Sequence, residues 1–119
     1  MIRRTLIFIS LLLLPALATT PALAHAMLEQ QSPGAGAVLA APPSFVHLFF
    51  SEQVEPSLSG ASVTDASGHS FAAKASEFDG QVIMLRLKKL PPGKYHVSWH
   101  AVSLDTHRTE GGYDFTVAR

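Results

Sequence analysis

The chain has 119 residues, 9 of them Lys or Arg, 9 Asp or Glu and 6 His, with no Cys and only 15% charged residues. That length holds one domain of modest core, and formal neutrality excludes a strongly basic surface of the kind that nucleic acid requires. Without cysteine there is no disulfide framework and no thiol to carry a lipid, so stability must come from packing.

The first element is an export signal. Arg3 and Arg4 precede the nine-residue apolar run "LIFISLLLL", Leu6 to Leu14, and a small-residue stretch follows. This is the order of a cleaved secretory signal, and the run is too short for the roughly 20 apolar residues of a membrane span. Three A-x-A sites are available, ending at Ala18, Ala24 and Ala26. The cut after Ala24 follows the helix-breaking Pro21 and is the favoured one. It divides the chain into a signal peptide, 1–24, and one domain, 25–119, that begins at His25 and keeps no membrane anchor. The domain is expected to be exported. Loss of Arg3 and Arg4 leaves seven basic against nine acidic residues.

The domain reads as strands throughout. "SFVHLFF" at 44–50, "GASVTD" at 60–65, "QVIMLRLK" at 81–88, "GKYHVSWHAV" at 93–102 and "GYDFTV" at 112–117 carry β-branched and aromatic residues. Turn signals bound them at "SPGAG" (32–36), "APP" (41–43), "ASGHS" (66–70), "FDG" (78–80) and "LPPG" (90–93). The period is clearest in 93–102, where Tyr95, Val97, Trp99 and Ala101 alternate with Lys94, His96, Ser98 and His100. No window shows a helical stripe, so the fold class is all-β, a sandwich or barrel of several short strands.

The six histidines are not equivalent. His96 and His100 share a strand face about 13 Å apart, too far to hold one ion together. His47 falls on a half-exposed strand face and His69 in a turn. Asp105 and His107, two apart just beyond the strand ending at Val102, point the same way in extended backbone and can converge on a metal. Alone, such a pair is equally well a hydrogen-bonded loop pair. His25 strengthens the metal reading, because a terminal His offers its α-amine and its own imidazole as a chelate. Amine, His25, Asp105 and His107 together give three nitrogens and one oxygen, a set suited to tetragonal Cu(II), one ion per chain. The amine must lose a proton to bind, so affinity should fall with pH.

The start "HAMLEQQSPGAGA", the "FSE" at 50–52 and above all "GKYHVSWHAVSLDTHRTEGGYDFTV" resemble the CopC family of periplasmic copper-binding proteins, over nearly the whole mature chain. The resemblance implies an immunoglobulin-like Greek-key β-sandwich of about seven strands. It also implies a Cu(II) site of terminal amine, His25, Asp105 and His107, with Glu52 as an axial or supporting group and Trp99 in the core. It further implies a role in copper homeostasis or resistance, with a CopD-like inner-membrane copper importer as partner. Some members carry a Met-rich Cu(I) loop, and the matching stretch "VTDASGHSFAAKAS" (63–76) has no Met, which implies a Cu(II)-only variant. Where the family often has Pro after the D-x-H histidine, this chain has Arg108.

The expected function is therefore non-enzymatic: Cu(II) is sequestered or passed on. Two readings compete. A copper oxidase like the lytic polysaccharide monooxygenases would also use a terminal histidine brace. A metal-free immunoglobulin-like interaction module would make His25 incidental.

Overall fold

A computed structural model describes residues 25–119; the expected signal segment, 1–24, lies outside the described residues. Eight strands follow in order: β1 (Leu28–Ser32), β2 (Val38–Leu39), β3 (Phe45–Phe50), β4 (Gly60–Asp65), β5 (Glu77–Asp79), β6 (Val82–Arg86), β7 (Gly93–Val102) and β8 (Arg108–Val117). One 3₁₀ turn, Pro56–Leu58, interrupts the connection from β3 to β4. The strands form two four-stranded sheets, ordered β1-β3-β6-β5 and β2-β8-β7-β4. All pairings are antiparallel except β2 with β8. The result is the expected all-β sandwich. No described helix is long and apolar enough to cross a membrane.

Period-two patterning explains which faces meet. In β3, Val46, Leu48 and Phe50 turn inward; in β6, Ile83 and Leu85 do; in β7 and β8, Tyr95, Val97, Ala101, Phe115 and Val117 face them from the second sheet. Fully burying each such side chain is worth about 1.5–3 kcal/mol, so this shared apolar layer, and no covalent link, holds the sheets together. β7 spans the same ten residues that the alternation predicts.

Trp99 differs from its expected place. It is only partly buried, lying against the core with its ring edge-on to Phe50 at 5.1 Å. Its register partner across β7 and β8 is Gly111, where an added Cβ would lie 2.8 Å from the indole Cζ2. Glycine is what lets the indole lie across the neighbouring strand. Three strands carry too weak a pattern to be read from sequence: β1, the two-residue β2, and β5, which takes Phe78 and Asp79 out of the expected turn and leaves the reversal to Gly80 at φ 58°.

Three chain segments converge at one end of the sandwich, and backbone hydrogen bonds fasten them together. Ser51 N–H donates to Met27 O at 2.8 Å, joining the approach to β1 with the end of β3. Glu55 N–H donates to Val102 O at 2.7 Å, and Val54 bridges to Ser103, joining the β3–β4 connection to the end of β7.

Candidate metal centre

The β7–β8 hairpin carries Asp105 and His107. Ser103 N–H donates to His107 O at 3.0 Å, and Thr106 N–H donates to Ser103 O at 2.9 Å, which leaves Leu104, Asp105 and Thr106 as a three-residue loop. Such loops place their last residue in the left-handed region, and Thr106 has φ 72°. A β-branched residue there is strained, typically by about 1–3 kcal/mol. The extended backbone expected for Asp105 and His107 is therefore replaced by a tight turn. The two side chains still meet: Asp105 Oδ2 lies 3.2 Å from His107 Nδ1.

Ser103, which the sequence reading passed over, organises this loop. It is a buried polar residue, 3% exposed. Its hydroxyl donates to Asp105 Oδ1, and its Oγ lies 3.2 Å from His107 O. The hydroxyl is the largest cause holding the Asp105 carboxyl below its ordinary pKa, with His107 acting in the same direction and partial burial opposing both. Asp105 is thus an ionised, oriented carboxylate at neutral pH. His107 Nδ1 is shielded from solvent; an Asp105 carboxylate oxygen stands 3.2 Å away, and no well-formed hydrogen bond joins the two. An orphaned, shielded nitrogen beside a carboxylate is a donor pair that a cation would satisfy.

His25 reaches the same place from the other end of the chain. Its ring stands edge-on to that of His107, with centroids 4.7 Å apart. The position follows from how the first residues are held: Ser51 Oγ donates to His25 O at 3.1 Å and accepts from Met27 N–H at 2.9 Å, while Thr109 Oγ1 donates to Ala26 O at 2.6 Å. Ala26 between them is fully buried. Ser51 and Thr109 are further positioning residues missed in the sequence; the "FSE" stretch contained the first, but nothing local marked it.

Glu52 lines a shallow recess with Gln53, Ser103, Leu104 and Asp105, beside the hairpin. Among the described residues, no three His, Cys, Asp or Glu side chains are gathered as a ready metal cage. His25 approaches His107, and His107 approaches Asp105, while the Asp105 carboxylate is turned toward Ser103.

The remaining histidines are elsewhere. His96 Nδ1 lies 2.7 Å from Asp114 Oδ1, and His69 Nδ1 lies 3.4 Å from Asp65 Oδ2 in its turn. The His100 ring covers Gly60, where an added Cβ would lie 3.3 Å from Cε1. His47 stands on the outer face of β3 between Phe45 and Phe49.

A CopC domain model matches residues 28–118, all but the first three described residues and the last one. The chain belongs to the CopC family. Protein YobA of Escherichia coli K12 is 39% identical over 118 residues, covering 96% of this chain and 95% of that protein. The crystal structure of CopC from Methylosinus trichosporium OB3b matches with a TM-score of 0.73 at 33% identity, over 79% of this chain and 94% of that one. PcoC, described as a methionine rich copper resistance protein from Escherichia coli, matches with a TM-score of 0.69 at 36% identity, over 79% of this chain and 99% of that one. This CopC-family domain is not methionine rich: its whole sequence holds three Met, of which Met27 and Met84 fall in the described residues.

Proposed function

We propose that this CopC-family chain is a periplasmic Cu(II)-binding protein, exported and cut after Ala24. Its copper ligands are the new α-amine and the ring of His25, with Asp105 and His107. Copper is cargo here, bound one ion per chain, then sequestered or handed to a CopD-like importer in the inner membrane. The observation that carries this reading is the position of His25. The residue that cleavage would make first is pinned through Ser51 and Thr109 with its ring against His107. The donor set of three nitrogens and one carboxylate oxygen favours Cu(II) over Cu(I), which prefers sulfur ligands. Glu52, which lines the recess beside the hairpin, would serve as an axial or supporting group. Asp105 as fourth donor leaves no open equatorial place for oxygen, which supports binding over an oxidase role.

The arrangement of these groups also bears on how copper would bind. Asp105 is already ionised, so it gives up no proton to a metal. The terminal amine, with an ordinary pKa of about 7.7–8.0, must lose its proton to bind, so affinity rises with pH toward that range.

The test compares two purified forms by Cu(II) titration, one beginning at His25 and one retaining Ala24. The first should bind one Cu(II) per chain, and the second at least 100-fold more weakly, because acylating the amine removes one of four ligands and opens the chelate. Equal affinity in the two forms would show that the terminal chelate does not exist.

A further inference from the structure

Sheet pairing brings together two side chains that lie 37 positions apart in sequence. In the sheet β1-β3-β6-β5, Ser32 pairs with His47, His47 with Met84, and Met84 with Glu77. The inward positions of these strands are taken by Leu48, Ile83 and Leu85, so this row lies on the outer face. It presents, in order, a hydroxyl, an imidazole, a thioether and a carboxylate.

His47 differs from the histidines already placed. His69, His96 and His107 each face a carboxylate. His47 makes no hydrogen bond or ion pair among the described residues; its ring stacks between Phe45 at 5.6 Å and Phe49 at 6.4 Å, both at 28°. These neighbours restrict the imidazole without claiming its nitrogens. Met84, its direct neighbour, is half-buried on the same face. Arg86, the cation on β6, pairs with Phe45 in the adjacent row of the same face and lies over the Phe45 ring at 4.6 Å.

We propose that His47 and Met84 form a second metal site, for a soft monovalent ion such as Cu(I) or Ag(I). Directly opposed residues on antiparallel strands have Cβ atoms about 4.5–5.5 Å apart. An ion held in line between one nitrogen and one sulfur needs donors roughly 4.3 Å apart if zinc-like lengths of about 2.0 and 2.3 Å are the guide, and somewhat more for the larger Ag(I). The three rotatable bonds of Met let its sulfur swing toward the ring. A thioether and an imidazole are the donors a soft ion selects, whereas Cu(II) is drawn to the nitrogen and carboxylate set at the end of the sandwich. Glu77, next in the row, places a negative charge beside the ion without being a soft ligand. The site lies on the sheet face, away from the 63–76 stretch whose lack of Met implies a Cu(II)-only variant, and it departs from that expectation by giving the chain a soft-ion site elsewhere.

The probe is Ag(I) alone, which is diamagnetic and does not change oxidation state under these conditions. It is titrated into protein carrying Met27→Leu, so that Met84 is the thioether left among residues 25–119. NMR should show one Ag(I) bound, with the Met84 methyl and His47 ring signals shifting together. Met84→Leu, nearly equal in volume, and His47→Phe should each weaken Ag(I) binding at least tenfold, with the unfolding midpoint and Cu(II) stoichiometry unchanged. Shifts confined to His25 and His107, or unchanged Ag(I) affinity in both variants, would overturn the proposal. Neither outcome touches the Cu(II) reading, which rests on other residues.

Discussion

Two histidine–aspartate pairs in this domain look alike on paper and differ in everything that decides chemistry. His96 and Asp114 stand opposite each other on the outer face of β7 and β8, hydrogen-bonded at 2.7 Å, with Lys94 Nζ 3.5 Å from the other carboxylate oxygen. Asp105 and His107 sit in a three-residue loop at 3.2 Å, their nitrogen unbonded, their carboxylate held by a buried serine, and a second imidazole against them. In both pairs the carboxyl is held below its ordinary pKa, chiefly by a side-chain hydrogen bond, from His96 in one case and Ser103 in the other. A shifted carboxylate therefore does not mark the site. Incomplete satisfaction does: the first pair has no reason to take a ligand, and the second leaves a shielded donor without a partner.

The largest effect should come from exchanging damage between the pairs. Removing one strong ligand of a four-ligand site should lower Cu(II) affinity about 100-fold or more in His107→Ala and in Asp105→Ala, or about 2.8 kcal/mol at tenfold per 1.4 kcal/mol. His96→Ala and Asp114→Ala should bind Cu(II) as the parent does. Competition titration against a chelator of known affinity reads all four. Equal losses in the two sets would mean that the strand-face pair also holds copper.

The next effect sharpens the other side of the comparison. The His96 ring lies across Gly112, where an added Cβ would be 2.8 Å from Nε2 and 2.9 Å from Val97 O. Because one of these neighbours is backbone, Gly112→Ala cannot be relieved by moving the ring alone. Overpacking of this kind typically costs about 1–3 kcal/mol, and in a domain of this size each kcal/mol lowers Tm by roughly 4–8 °C. Calorimetry should show that loss while Cu(II) affinity stays within about twofold. A full loss of copper binding in a folded variant would tie the sheet face to the metal centre.

How far the sequence reveals these features depends on the range of the interaction involved. β7 was legible to the residue because alternation is local and strict between Tyr95 and Ala101. β1 and β5 were not, since their pairing energy comes from β3 and β6, and nothing within "LEQQS" or "EFD" announces those partners. Asp105 and His107 were legible as a pair, although through a mistaken picture of the backbone: the turn closed by Ser103 and Thr106 gathers them, where an extended strand was expected. His25 was legible because of the cleavage pattern and the family resemblance. Its anchors Ser51 and Thr109 were not, because a hydroxyl bonded to a carbonyl 26 or 83 residues away leaves no trace in local spacing. The His47–Met84 register was invisible for the same reason.

The smallest effect separates the pairs by pH. Asp114 titrates below its ordinary value because the folded state favours its charged form, through His96 first and then Lys94. A group with a depressed folded pKa contributes stability that is fully present above its unfolded value, near 3.8, and is lost as pH falls through the folded value. Asp114→Asn should therefore be slightly less stable than the parent at pH 6, and the gap should close as pH falls below 3.8 and the parent's own carboxylate is protonated. Because the pair is solvent-exposed, 0.5 M NaCl should shrink the pH 6 gap as well. Denaturant unfolding at pH 6, 4 and 3 reads the trend. A gap that persisted undiminished at pH 3 would mean that Asp114 acts through packing instead of charge, and the likeness between the two aspartates would end there.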